Sequence, residues 1–208
     1  MKSIKGETQN EIVIEKSRFI TYLFNVHTID EVKEKLSILK KEYQDATHIV
    51  YAFIIDSDSR SNDNGEPKGT AGIPTLEVLR KENMTNILAA TIRYFGGIKL
   101  GAGGLVRAYT KGVSEAIKLS TITYETLVSY ITIKTSYRDA SYLDKNLDLV
   151  KEVNKTYDTS VLYEIKILSN NLAEFKEQLI NLKDEYEYNF IKEEVAFIWK
   201  SFFSPLLY

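Results

Sequence analysis

The chain contains no cysteine. That absence excludes a disulfide framework, a thiolate zinc site and a cysteine nucleophile. Histidine is nearly absent too: His27 and His48 alone are too few for a multi-histidine metal centre, so no metal site is expected. No apolar run approaches the roughly 18 residues of a spanning helix. The first residues, MKSIKGETQNEIVIEKSR, are too polar for a signal peptide. A soluble, cytoplasmic protein with no membrane partner is expected. Charge of one sign is also lacking. The 208 residues hold 27 Lys+Arg against 29 Asp+Glu, a net charge of −2. A generally basic nucleic-acid binder is excluded, whereas a local basic patch is not.

Glycine is scarce in a telling way. Nine of the ten glycines lie between Gly65 and Gly112, and only Gly6 lies outside. The 96 residues after Gly112 hold no glycine and one proline, Pro205. Residues 1–120 carry net charge +2 and the remainder −4, and 15 of the 24 aromatic residues follow Ser120. Two architectures are expected, over 1–122 and 127–208, joined by a short connection.

The second half reads as β-α-β-β-α-β, the ferredoxin-like pattern. Tyr130 to Thr135 alternates as a strand, and Leu143, Leu147 and Val150 follow at helical spacing. Val153, Lys155 and Tyr157 alternate again. Val161, Tyr163, Ile165 and Ile167 share one strand face. Leu172, Phe175, Leu179 and Leu182 form one helical stripe, with Asn171 and Glu174 placed as a capping box. A last strand is expected over roughly Ile191 to Phe202. Both helices should cover one face of an antiparallel sheet.

In the first half, Ile12–Ile14, Phe19–Val26, Thr47–Ile55 and Asn86–Phe95 read as strands. Thr28 and Glu31 fit a capping box for a helix burying Ile29, Val32, Leu36 and Leu39. Asp56–Gly72 reads as a polar loop, and Pro74 suits the start of a short helix. A further helix is expected from about Leu105 to Leu119.

Two segments carry possible chemistry. The first is Arg93-Tyr-Phe-Gly-Gly-Ile-Lys-Leu-Gly-Ala-Gly-Gly-Leu-Val-Arg-Ala-Tyr109, a strand, a glycine-rich loop and a helix start. Such a junction offers backbone N–H groups and a positive dipole end to an anion. Gly96, Gly97, Gly101, Gly103 and Gly104 would permit close phosphate approach, and Lys68, Arg93, Lys99, Arg107 and Lys111 would add charge. Neither a P-loop nor a complete dinucleotide fingerprint is present, because no Gly-Lys-Ser/Thr follows and Val106 replaces the third glycine. Tight turns and close helix packing are the competing explanation, and Arg93 has the alternative of a salt bridge.

The second segment is Asn64-Gly-Glu-Pro-Lys-Gly-Thr-Ala-Gly-Ile-Pro74. A calcium-loop alignment on Gly65 fails, with Arg60 and Ala71 at the first and last ligand positions. Glu66 and His48 are the weak acid–base candidates. The plainer readings are a surface turn over Asn62–Gly65 and a hydrogen-bonded histidine at a strand end. Outward-facing Tyr186, Tyr188 and Phe190 would suit RNA stacking, but core or edge packing is the favoured reading of them.

The chain resembles the IMPACT/YigZ family. Lys16-Ser-Arg-Phe-Ile20, Ala46-Thr-His48, the segments 64–74 and Arg93–Gly97, and Leu100–Tyr109 carry the resemblance. It implies an α+β protein with a first domain of the ribosomal protein S5 domain 2-like fold, helices on one sheet face, and a ferredoxin-like second domain. Eukaryotic relatives regulate translation by restraining a starvation-response kinase, using a further N-terminal domain outside the residues matched here. For bacterial relatives the resemblance implies RNA or ribosome binding, with no cofactor and no catalytic residues to carry over. Three functions remain in play: an RNA- or ribosome-binding module, with a monomer expected; an enzyme for a small phosphorylated or anionic substrate; and a protein-interaction regulator.

Overall fold

A computed structural model describes residues 1–199. The chain forms two compact units, Met1–Tyr124 and Glu125–Tyr208. Both mix helices with sheet, giving a two-domain α+β protein.

The first unit contains β1 (Lys2–Ile4), β2 (Glu7–Ile14), β3 (Ser17–Asn25), α1 (Ile29–Glu42), β4 (His48–Ile55), β5 (Asp58–Asn62), α2 (Gly72–Lys81), β6 (Ile87–Tyr94) and α3 (Gly101–Leu119). Its sheet runs β2-β3-β6-β4-β5, every neighbouring pair antiparallel. Alternation divides each strand between two cores. Ile20, Phe24, Leu88, Ala90 and Ile92 meet Val32, Leu36 and Leu39 of α1. From the opposite face, Leu23, Ala52, Ile54, Ile87 and Ala89 meet Leu76 and Leu79 of α2 and Val113 and Ala116 of α3. The helices thus occupy both faces, not one. The cause is in α1 itself, whose Val32–Leu36–Leu39 stripe needs an apolar surface that α2 and α3 do not leave free.

The capping box of α1 forms as expected. Thr28 Oγ1 accepts from Glu31 N–H at 3.2 Å, and Glu31 Oε2 accepts from His27 N–H at 2.9 Å. Three other expectations change. The stretch 56–72 contains β5, whose polar side chains suit a sheet edge. Helix α2 begins at Gly72, two residues before Pro74. Helix α3 begins at Gly101, so Gly101, Gly103 and Gly104 lie in its first turn. Glycine has poor helix propensity, but burial of Leu105, Ala108 and Tyr109 immediately beyond holds that turn in place. Strand β1 was not foreseen; it buries Ile4 against the α2/α3 core.

The second unit contains most of β7 (Ile122–Thr135), then α4 (Tyr137–Leu143), β8 (Val150–Tyr157), β9 (Val161–Leu168), a 3-10 turn (Ser169–Asn171), α5 (Leu172–Leu179) and β10 (Glu187–Trp199). The first residues of β7 pair with β1, inside the first unit. Within the second, strand order is β10-β7-β9-β8, the ferredoxin-like arrangement. Ile131, Ile133, Tyr163 and Ile165 pack one sheet face against Leu143 of α4 and Phe175 and Leu179 of α5. Helix α4 is shorter than its spacing suggested. Leu147 falls in a turn, and Val150 opens β8. Asn171 makes no side-chain cap, because it closes the 3-10 turn instead. The expected last strand begins earlier, at Glu187, and its expected end at Phe202 lies outside the described residues. Tyr188 packs against the core, whereas Phe190 is exposed.

Candidate functional site

Odd positions of β6 face α3, which turns Arg93 toward Tyr109. Arg93 is buried and donates from Nη1 to Glu66 Oε1 at 2.6 Å. Tyr109 donates its hydroxyl to the same oxygen at 2.8 Å. The Glu66 and Arg93 side chains are 3% and 6% exposed, so each charge requires the other. The guanidinium also lies 5.3 Å from the Phe19 ring and 5.6 Å from the Phe95 ring. Burial, reinforced by the neighbouring Glu66 carboxylate, pushes the Tyr109 phenol well above its ordinary range, so it remains a donor.

The second Glu66 oxygen, Oε2, lies 4.0 Å from His48 Nε2. His48 Nδ1 sits 2.8 Å from the Asn64 carbonyl oxygen. A carbonyl only accepts, so Nδ1 carries the hydrogen of this bond. Gly65 makes room for this ring. It has φ +88°, and an added Cβ would lie 3.1 Å from His48 Nδ1.

Asp63 organises the segment that carries Glu66. Its Oδ1 accepts from Ala71 N–H at 3.1 Å and Gly72 N–H at 2.7 Å, and its Oδ2 accepts from Gly69 N–H at 2.8 Å. These bonds satisfy the start of α2. Burial acts to raise the Asp63 pKa, but the three N–H donors outweigh it and hold the carboxyl below its ordinary range. Asp63 is therefore more than a turn residue.

A cavity of about 440 Å³ opens beside this network, bordered by His48, Glu66, Arg93, Lys99, Gly101 and Ala102. Helix α3 starts there without a side-chain cap and without an acidic residue in its first turn. A second hollow, about 460 Å³, shares Lys99 and Leu100 with the first and adds Glu15, Gly104, Arg107 and Lys111. Arg107 and Lys111 are four residues apart on α3 and therefore share a face. Lys99 and Arg107 form no ion pair among the described residues, and Lys111 lies 3.8 Å from Glu115 across an exposed gap.

The expected cationic patch is thus divided. Lys99, Arg107 and Lys111 come together. Arg93 is buried against Glu66, and exposed Lys68 lines neither hollow. The glycines divide as well. Gly96 is packed so closely that a Cβ would collide with the Lys16 carbonyl and Ser17 nitrogen of the β2–β3 turn. Gly97 occupies a turn, Gly103 is exposed, and Gly101 and Gly104 border the two hollows. Two members of the buried network, Asp63 and Tyr109, were missed. Tyr109 is in helical register with Leu105 and reads as core, and Asp63 sits in a polar run that reads as a turn.

Every residue of this arrangement falls within 15–117, which match the Impact N-terminal domain. IMPACT family member YvyE of Bacillus subtilis is 38% identical over 187 residues, covering 86% of this chain and 85% of that protein. The chain belongs to the IMPACT family. IMPACT family member YigZ of Escherichia coli is 34% identical over 173 residues, covering 80% and 85% respectively. A crystal structure described as that of a hypothetical protein is 29% identical, with a TM-score of 0.59 over 92% of this chain and 97% of that one. Among the described residues of this IMPACT family protein, no helix is long and apolar enough to cross a membrane. No cluster of three metal-ligating side chains occurs among them either.

Proposed function

We propose that this IMPACT family protein is a translation-linked, cytoplasmic binding module that engages RNA, on or off the ribosome, through the basic hollow on its first unit. The observation that carries the reading is the convergence of Lys99, Arg107 and Lys111 on one hollow that Gly104 also lines. Phosphate contacts of this kind supply affinity without base specificity. Translation control in the eukaryotic branch, implied by the family resemblance, supports the same direction.

Retention of RNA and of ribosomes across a salt series is the test. Wild type should bind at low salt and release as salt rises. Arg107→Ala/Lys111→Ala should reduce the slope of log affinity against log salt by about 1.4 to 1.8. No binding at low salt, or a double variant that binds as wild type does, would overturn the reading. Partners that survive nuclease treatment would favour direct protein contact instead.

A further inference from the structure

Phe95 follows β6 and is 46% exposed. Its backbone is fixed on both sides, so the ring cannot withdraw. The Phe95 N–H donates to Thr47 Oγ1 at 3.0 Å, and the preceding Tyr94 hydroxyl donates to Asp45 Oδ1 at 2.8 Å. The following Gly96 N–H donates to Ser17 Oγ at 3.1 Å, and Gly96 is packed against the Lys16 carbonyl. The Arg93 guanidinium lies over the Phe95 ring, 5.6 Å from its centroid, and is itself held by Glu66. One side of the ring is therefore backed by a fixed cation, and a planar partner would meet the other.

Phe95 lines the cavity of about 440 Å³, with Pro67, Leu100 and Leu105 as further apolar wall. That volume falls in the range of small-molecule sites, about 300–1,000 Å³, and admits a nucleobase. Lys99 and Leu100 also border the neighbouring hollow, where Arg107 and Lys111 stand. The joined surface is thus aromatic and apolar at one end and cationic at the other. A nucleotide strand divides in the same way, into flat base faces and charged phosphates. In a duplex the base faces are covered by their neighbours, so only an unpaired base can lie on a ring.

We infer that the RNA is single-stranded where it meets this protein, with an unpaired base stacked on Phe95 and the adjoining phosphates passing Lys99 towards Arg107 and Lys111. The inference rests on the RNA reading and adds the class of RNA and the residue that selects it.

Fluorescence anisotropy with the full chain tests it, using labelled dodecauridylate, an abasic strand of the same length and charge, and a GC-rich RNA duplex. Wild type should bind the uridylate about tenfold more tightly than the abasic strand. Phe95→Ala should remove that preference by weakening the uridylate alone about tenfold. It should leave the duplex affinity and the salt slope unchanged, because Phe95 carries no charge. Arg107→Ala/Lys111→Ala should weaken all three RNAs and lower the slope. Phe95→Trp should keep the preference, and the uridylate but not the duplex should quench its fluorescence above the background of Trp199, the sole native tryptophan. If Arg107→Ala/Lys111→Ala weakens binding while Phe95→Ala binds the uridylate as wild type does, the RNA reading stands and this inference is overturned. Equal wild-type affinity for the uridylate and the abasic strand would overturn it in the same way. Absence of all binding at low salt would remove the RNA reading and this inference together.

Discussion

The two faces of the first unit's sheet are built on different principles. The α1 face is closed: Val32, Leu36 and Leu39 seal it, and Tyr22 and Tyr43 share a hydroxyl hydrogen bond of 2.6 Å at its border. Helix α1 satisfies its own first turn with Thr28, Asp30 and Glu31. The α3 face carries a buried charge pair, and α3 begins with neither cap nor acid. An apolar face with a self-satisfied helix has little left to offer a ligand. A face with fixed charges and free N–H groups does.

The largest effect that sharpens this contrast is expected at the buried pair. Glu66→Ala should cost about 3–5 kcal/mol in urea unfolding, because Arg93 is left charged and buried. Glu66→Met with Arg93→Met should recover most of that loss. On the α1 face, Leu39→Ala should cost a similar amount, about 2–5 kcal/mol, through cavity formation. There, however, RNA retention should survive. Loss of binding in Leu39→Ala at full folding would break the comparison.

A smaller, pH-dependent effect is expected at Asp63, which caps α2 on the charged face. Its pKa is lower in the folded protein than the unfolded value of about 3.9, so its contribution is complete above that value. The contribution disappears as pH falls through the folded value. Asp63→Asn should therefore be less stable than wild type at neutral pH, and the gap in urea midpoint should close in acid. A constant gap from pH 7 to pH 2 would remove Asp63 from the account.

The smallest effect would make the two helix starts alike. Ala102→Glu puts an acid in the first turn of α3, as Asp30 and Glu31 do for α1. It should stabilise the free protein by about 0.3–1 kcal/mol. The same change should weaken binding of RNA. Tighter binding would show that the α3 start does not receive an anion.

Much of the fold was legible because its signals are local. The alternation of Val161, Tyr163, Ile165 and Ile167, the stripe Val32–Leu36–Leu39 and the Thr28–Glu31 cap each depend on neighbours along the chain. The failures arose where tertiary contacts override propensity. Polar Asp58–Asn62 becomes a strand because β4 presents a free edge. Gly101–Gly104 becomes helical because the next turn is buried. At the site, Lys99, Gly101, Arg107 and Lys111 were visible as a glycine-rich, basic run, whereas Lys68 and Arg93 looked equivalent to them and are not.

The sequence by itself determined the two-part organisation, most strands and helices, and the family. Short-range periodicity, capping and motif order are enough for those. Only the tertiary structure decided that Glu66 meets Arg93 from 27 residues away and Tyr109 from 43. It also decided that His48 faces the remaining oxygen of that carboxylate. The physical reason is that such meetings depend on how β4 and β6 align in the sheet and how α3 crosses it, and no local propensity encodes either.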